Sequence, residues 1–92
     1  MSAIYTSPIG LRVYDDGDSF SITGNPKISE TIVEFESAYD FEELIQEKIN
    51  CKGISFDSEF CQFFAYAKTK SSALAFVNRV EKHFEKVRKM LK

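Results

Sequence analysis

The chain holds one histidine, His83, set between Lys82 and Phe84. General-base chemistry needs an imidazole within hydrogen-bond reach of a nucleophile, with a third group to orient it. Nothing at a telling spacing supplies either role, so His83 reads as a surface or boundary side chain. The two cysteines, Cys51 and Cys61, form no Cys-x-x-Cys pair and have no clustered histidines nearby, which suggests neither a zinc site nor a redox motif. A disulfide between them stays open. Cys61 falls in an apolar run and reads as a buried small hydrophobe rather than a reactive thiolate. Asp15, Asp16 and Asp18 begin like a calcium loop. The later acidic ligand and the flanking helices are missing, so a hairpin turn is the better reading. No glycine-rich phosphate loop occurs. The expectation is a non-enzyme with no catalytic residue, no metal ligand and no cofactor.

Two charged constellations remain. Arg79, Lys82, Lys86 and Lys89 fall three, four and three residues apart, a basic stripe on one helix face that could meet phosphates. The plainer reading is a solvated face whose cations suit the negative end of the helix dipole, with Glu81 and Glu85 as close partners. The second constellation is Glu30, Glu34, Glu36, Asp40, Glu42, Glu43 and Glu47, opposed only by Lys48 within its span. It could be a merely soluble surface. Merged into one patch, it would steer a basic partner and supply anchor points.

The whole-chain balance favours the second constellation. The net charge is −2, yet residues 1–70 carry twelve acids against six Lys/Arg, whereas residues 71–92 carry six Lys/Arg against two acids. A two-signed surface suits pairing with a protein better than bulk attraction to DNA or a membrane. The 92 residues, 43% hydrophobic and 28% charged, predict one globular domain over 1–92 with an ordinary core and little disorder. The first residues lack the basic and apolar regions of a secretory signal, and no apolar run reaches membrane-span length. A cytoplasmic protein with reduced thiols is expected.

The elements that must position these charges follow from periodicity. Ile9, Leu11 and Val13 alternate with Arg12 and Tyr14 as a first strand. Asp15-Asp16-Gly17-Asp18 turns the chain, with Gly17 at positive φ and the aspartates bonding nearby N–H groups. Ser19 to Thr23 returns as a second strand. Gly24-Asn25-Pro26 breaks it, and a third strand is expected from about Ile28 to Glu36, acidic on one face. A helix starting at Ser37 or Asp40, with Glu43 at the capping-box position, buries Phe41, Leu44, Ile45 and Ile49 and stops at Lys52-Gly53. Ile54 to Phe56, a turn at Asp57-Ser58-Glu59 and a longer strand from Phe60 to Ala67 make a hairpin. That longer strand is apolar on both faces, which places it centrally in the sheet. A final helix from about Ser71 to Leu91, capped by Ser71 or Ser72, buries Ala73, Val77, Val80, Phe84, Val87 and Leu91. The fold class is therefore α+β, a mainly antiparallel sheet in the order β-β-β-α-β-β-α with the helices on one face.

Phe56-Asp57-Ser58-Glu59, Phe63-Phe64-Ala65-Tyr66-Ala67 and Ala73-Leu74-Ala75-Phe76 together resemble a strand, turn, strand and helix segment of small immunity proteins from bacterial polymorphic-toxin and contact-dependent inhibition systems. The resemblance is confined to the C-terminal segment and rests largely on apolar residues. It implies a cytosolic protein that binds a co-produced toxin, often a nuclease with a basic active site, and blocks it stoichiometrically. No binding residue is carried over from it. The charge distribution nominates Glu34, Glu36, Asp40, Glu42, Glu43 and Glu47 as the contact set. Two rival readings are a phage-encoded inhibitor of a bacterial defence system and a nucleic-acid-binding accessory protein using Arg79, Lys82, Lys86 and Lys89.

Overall fold

Short-range chemistry fixes the first hairpins. In the computed structural model, Asp15 Oδ1 accepts the Gly17 N–H at 2.9 Å, the Asp16 N–H donates to Ser19 O at 2.9 Å, and Gly17 has φ +95°. This is the expected turn: an aspartate caps it and glycine takes the left-handed conformation that side chains disfavour. The structure describes residues 2–24, 37–59 and 61–90, with side chains described only to residue 86 of the last helix.

Among the described residues, five strands and two helices follow in order: β1 (Tyr5–Thr6), β2 (Arg12–Asp15), β3 (Phe20–Gly24), α1 (Ala38–Lys48), β4 (Ile54–Phe56), β5 (Phe63–Ala67) and α2 (Lys70–Met90). All pairings are antiparallel and the spatial order is β1-β2-β3-β5-β4. The α+β class and the antiparallel sheet agree with the sequence reading. Its membership differs: the two-residue strand Tyr5–Thr6 was not anticipated, and the strand expected from Ile28 to Glu36 lies outside the described residues. β5 does sit inside the sheet, between β3 and β4.

Register sorts the side chains by face. Tyr5, Val13, Ile22, Ala65 and Phe56 oppose one another in a row across all five strands. Val13, Ile22 and Ala65 are fully buried, together with Phe63 and Ala67 on the same face. Tyr14, Ser21, Tyr66 and Ser55 form the matching row on the opposite face. Both helices cover the first face. Phe76, Val77, Val80 and Phe84 of α2 are wholly buried, as is Ile45 of α1. Phe41 of α1 meets Phe63 edge-on with ring centroids 5.0 Å apart and stacks on Phe84 at 5.7 Å. Phe56 packs against both Phe63 and Phe76. One aromatic cluster thus ties sheet, α1 and α2 together, and edge and offset-stacked pairs of this kind add about 0.5–1.5 kcal/mol each beyond burial.

Several boundaries move. Helix α1 starts after Ser37, whose extended backbone makes it the cap without a side-chain bond, so Asp40 lies in the first turn and is not the N-cap. The helix ends at Lys48 with an extended Ile49, short of Lys52-Gly53. Gly53, at φ +81°, instead serves a four-residue turn closed by the Ile54 N–H to Cys51 O at 3.0 Å, where a glycine in third position relieves strain. The cap of α2 is Thr69, which accepts the Ser72 N–H at 3.1 Å, so the helix opens one residue earlier than Ser71. Between β4 and β5 the chain reverses after Glu59, which exchanges backbone bonds with Gln62. Cys61 sits in that reversal and is exposed, which corrects its placement in a buried strand; the alternation of β5 starts only at Phe63.

Besides its pairing with β2, edge strand β1 is tied to α2 by a side-chain bond. Tyr5 Oη donates to Glu81 Oε1 of α2 at 2.6 Å. That bond, then burial, then the negative charge of Glu81 raise the Tyr5 phenol above its ordinary value. Because the raised value belongs to the folded state, the associated stability is complete below the unfolded tyrosine pKa near 10 and is lost as pH rises through the folded value. Tyr5→Phe should therefore flatten the alkaline fall in stability while costing about 1 kcal/mol or less near neutrality. Urea unfolding of both proteins from pH 7 to 11 checks this, and parallel alkaline limbs would refute it.

Candidate functional site

Helix α1 has eleven residues and two sharply different sides. Ala38, Phe41 and Ile45 are buried, whereas Tyr39, Asp40, Glu43, Gln46 and Glu47 are exposed. At 100° per residue, Tyr39, Asp40, Glu43 and Glu47 centre on the direction opposite the core. Glu42 is half-buried on the flank of this face. Four of the six nominated acids, Asp40, Glu42, Glu43 and Glu47, are thus brought onto one helix, while Glu34 and Glu36 lie outside the described residues. Among the described residues, Glu47 pairs with Lys48 at 3.9 Å between side chains more than half exposed, a geometry of little energetic weight.

Sequence reasoning passed over Tyr39. It is 50% exposed, and with Ile4 it is one of two large apolar side chains so exposed among the described residues. The signal was present: projecting residues 38–48 onto a helix puts Tyr39 beside Glu43, one turn away on the same face. An aromatic ring framed by carboxylates has a different meaning from carboxylates alone. Charge supplies steering, and the ring supplies area that can be desolvated.

The cations gather elsewhere. Arg79, Lys82, His83 and Lys86 occupy adjacent steps of α2 and, with Lys48, Ile49 and Asn50 from the end of α1, line a groove of ≈330 Å³. Arg79 Nη1 donates to Asn50 O at 3.0 Å, which pins the segment after α1 to α2. Lys89 falls where the side chain is not described. Lys48 had been read only as an opponent of the acidic set, and no local pattern places it opposite α2; packing of the helices does. Beneath this junction the Cys51 thiol donates to Ile49 O at 3.3 Å and lies near Ile45 O at 3.6 Å. Burial raises its pKa, with the Arg79 charge opposing, which disfavours the thiolate form.

Among the described residues, no three His, Cys, Asp or Glu side chains converge as a metal site requires, and no helix is long and apolar enough to cross a membrane. His83 stands edge-on to Phe84 at 5.5 Å and is half-buried, the boundary position expected of it. The geometry offers two surfaces of opposite sign on neighbouring helices. No family model, curated protein or solved structure matches the chain.

Proposed function

We propose that this chain is a non-enzymatic binding protein that neutralises a basic protein, the co-produced toxin of a bacterial polymorphic-toxin system, by docking the outer face of α1 on it. The observation that carries the reading is Tyr39, half exposed amid Asp40, Glu43 and Glu47 on a helix whose other side is locked into the core. A rigid helix face with one aromatic anchor and a ring of charge has the make-up of an energetic centre of a protein interface. The acids raise the encounter rate with a positive surface and the tyrosine slows escape. Occlusion of the partner's own basic site would then inhibit it without any chemistry by this chain.

The test is bacterial viability on inducing the neighbouring upstream open reading frame with and without this gene, followed by co-purification of the two products. Killing only in the absence of this chain, with a stable complex in its presence, is the expected result. A harmless neighbour that does not co-purify would overturn the toxin assignment and bring forward an inhibitor of a bacterial defence system, which the same face would also serve.

A further inference from the structure

We propose that the groove between the end of α1 and the middle of α2 binds a compact ligand carrying two or more phosphates, of the nucleoside di- or triphosphate or inorganic polyphosphate class. This site does not require the partner proposed for the acidic face. Its lining residues, Lys48, Arg79, Lys82, His83 and Lys86 around Ile49 and Asn50, include no carboxylate. Two carboxylates border the groove: Glu47 pairs with Lys48 at 3.9 Å, and Glu85 stands next to Lys86 on α2 and is exposed.

The geometry favours phosphate over a carboxylate-bearing peptide. Arg79 carries five N–H donors, one of which is given to Asn50 O, and a planar guanidinium held at one end is preorganised to grip a phosphate through the other. Lys82 and Lys86 are exposed and about one helical turn, ~6 Å, apart, so they can contact neighbouring phosphates without moving the backbone. Lys48 faces them from α1 across the groove. His83 can donate one ring N–H in either tautomer. The depression, ≈330 Å³, is shallow and open to solvent, so phosphates would lie on its rim beside the cations rather than inside an enclosed pocket. The acidic face of α1 begins at Glu47, beside Lys48, so a long polyanion leaving the groove on that side meets like charge. That boundary is what selects a compact ligand.

The experiment titrates the full chain at low salt with tripolyphosphate, with ATP lacking magnesium, and with a single-stranded oligonucleotide of about 12 nucleotides, following backbone amide shifts and heats of binding. Saturable binding of tripolyphosphate and ATP is expected, with shifts at residues 48–50 and 79–86. Lys82→Ala/Lys86→Ala should weaken it by about tenfold or more, and Lys70→Ala, an exposed lysine outside the groove, should leave it unchanged. Absence of groove shifts, or an equal loss in Lys70→Ala, overturns the site. Oligonucleotide binding tighter than tripolyphosphate and growing with length overturns the compact ligand in favour of a nucleic-acid track. Ligand-free shifts at both the groove and residues 39–47 that grow with protein concentration would assign the groove to the acidic face of a second copy.

Discussion

Phe41→Ala should cost about 3–5 kcal/mol, the largest loss expected of any substitution on α1. The side chain is 3% exposed, meets Phe63 of the sheet edge-on at 5.0 Å and stacks on Phe84 of α2 with 8° between ring planes. Its removal leaves a void bordered by two fully buried rings from different layers, which cannot close without moving a helix. A chain of this length has a total stability of about 5–14 kcal/mol, so about a fifth or more is at stake. Helix α1 itself is too short to be stable alone and is docked chiefly by Phe41, Ile45 and Ala38. Loss of the ring should therefore loosen the face that carries Tyr39, Glu43 and Glu47. Binding to the partner should fall in Phe41→Ala although Phe41 touches no partner. Phe41→Leu should recover much of both. Urea midpoints at constant m measure the first effect, and a cost below about 1 kcal/mol would show that α1 is not held as described.

What the sequence could reveal tracks how local each determinant is. The turn at Asp15–Asp18, the alternation of Phe63 to Ala67 and the stripe Ala73, Val77, Val80, Phe84 each repeat or complete within a few residues, and the structure has all three, with the turn extended to Ser19 and the return strand starting at Phe20. Tyr5–Thr6 is too short to show a period, and its existence depends on pairing with Val13 and Arg12. Thr69, Ser71 and Ser72 are all good caps within four residues, and only the path out of β5 chooses Thr69. Cys61 was assigned to β5 because the apolar run continues through it, but the Glu59 to Gln62 reversal consumes those residues. For the candidate site, the acidic side of α1 followed from helical periodicity. Tyr39 is legible in the same projection, on the same face as Glu43, but it carries no charge to mark it. The basic groove was half legible: Arg79, Lys82 and Lys86 share a helix face in sequence, but Lys48 and Asn50 reach them only through the packing of α1 on α2.

Tyr39→Ala and Glu43→Lys/Glu47→Lys should both weaken the proposed complex, and through different rate constants. Tyr39 is half exposed and its loss should change folding stability by no more than about 0.5 kcal/mol. At an interface centre, however, truncating a tyrosine costs about 2 kcal/mol or more, or roughly thirtyfold in affinity, carried mainly by faster dissociation. The charge reversal places two cations where a basic partner must approach. Its effect should fall on association, by about ten- to a hundredfold at low salt, and shrink as added salt shortens the screening length. The salt dependence separates the causes, because the tyrosine effect should persist at high salt while the charge effect fades. If instead both variants slow association equally and both recover in salt, Tyr39 contributes no desolvated contact and the face acts by steering alone. If neither variant changes a rate, the outer face of α1 is not the docking surface, whatever partner the chain proves to have.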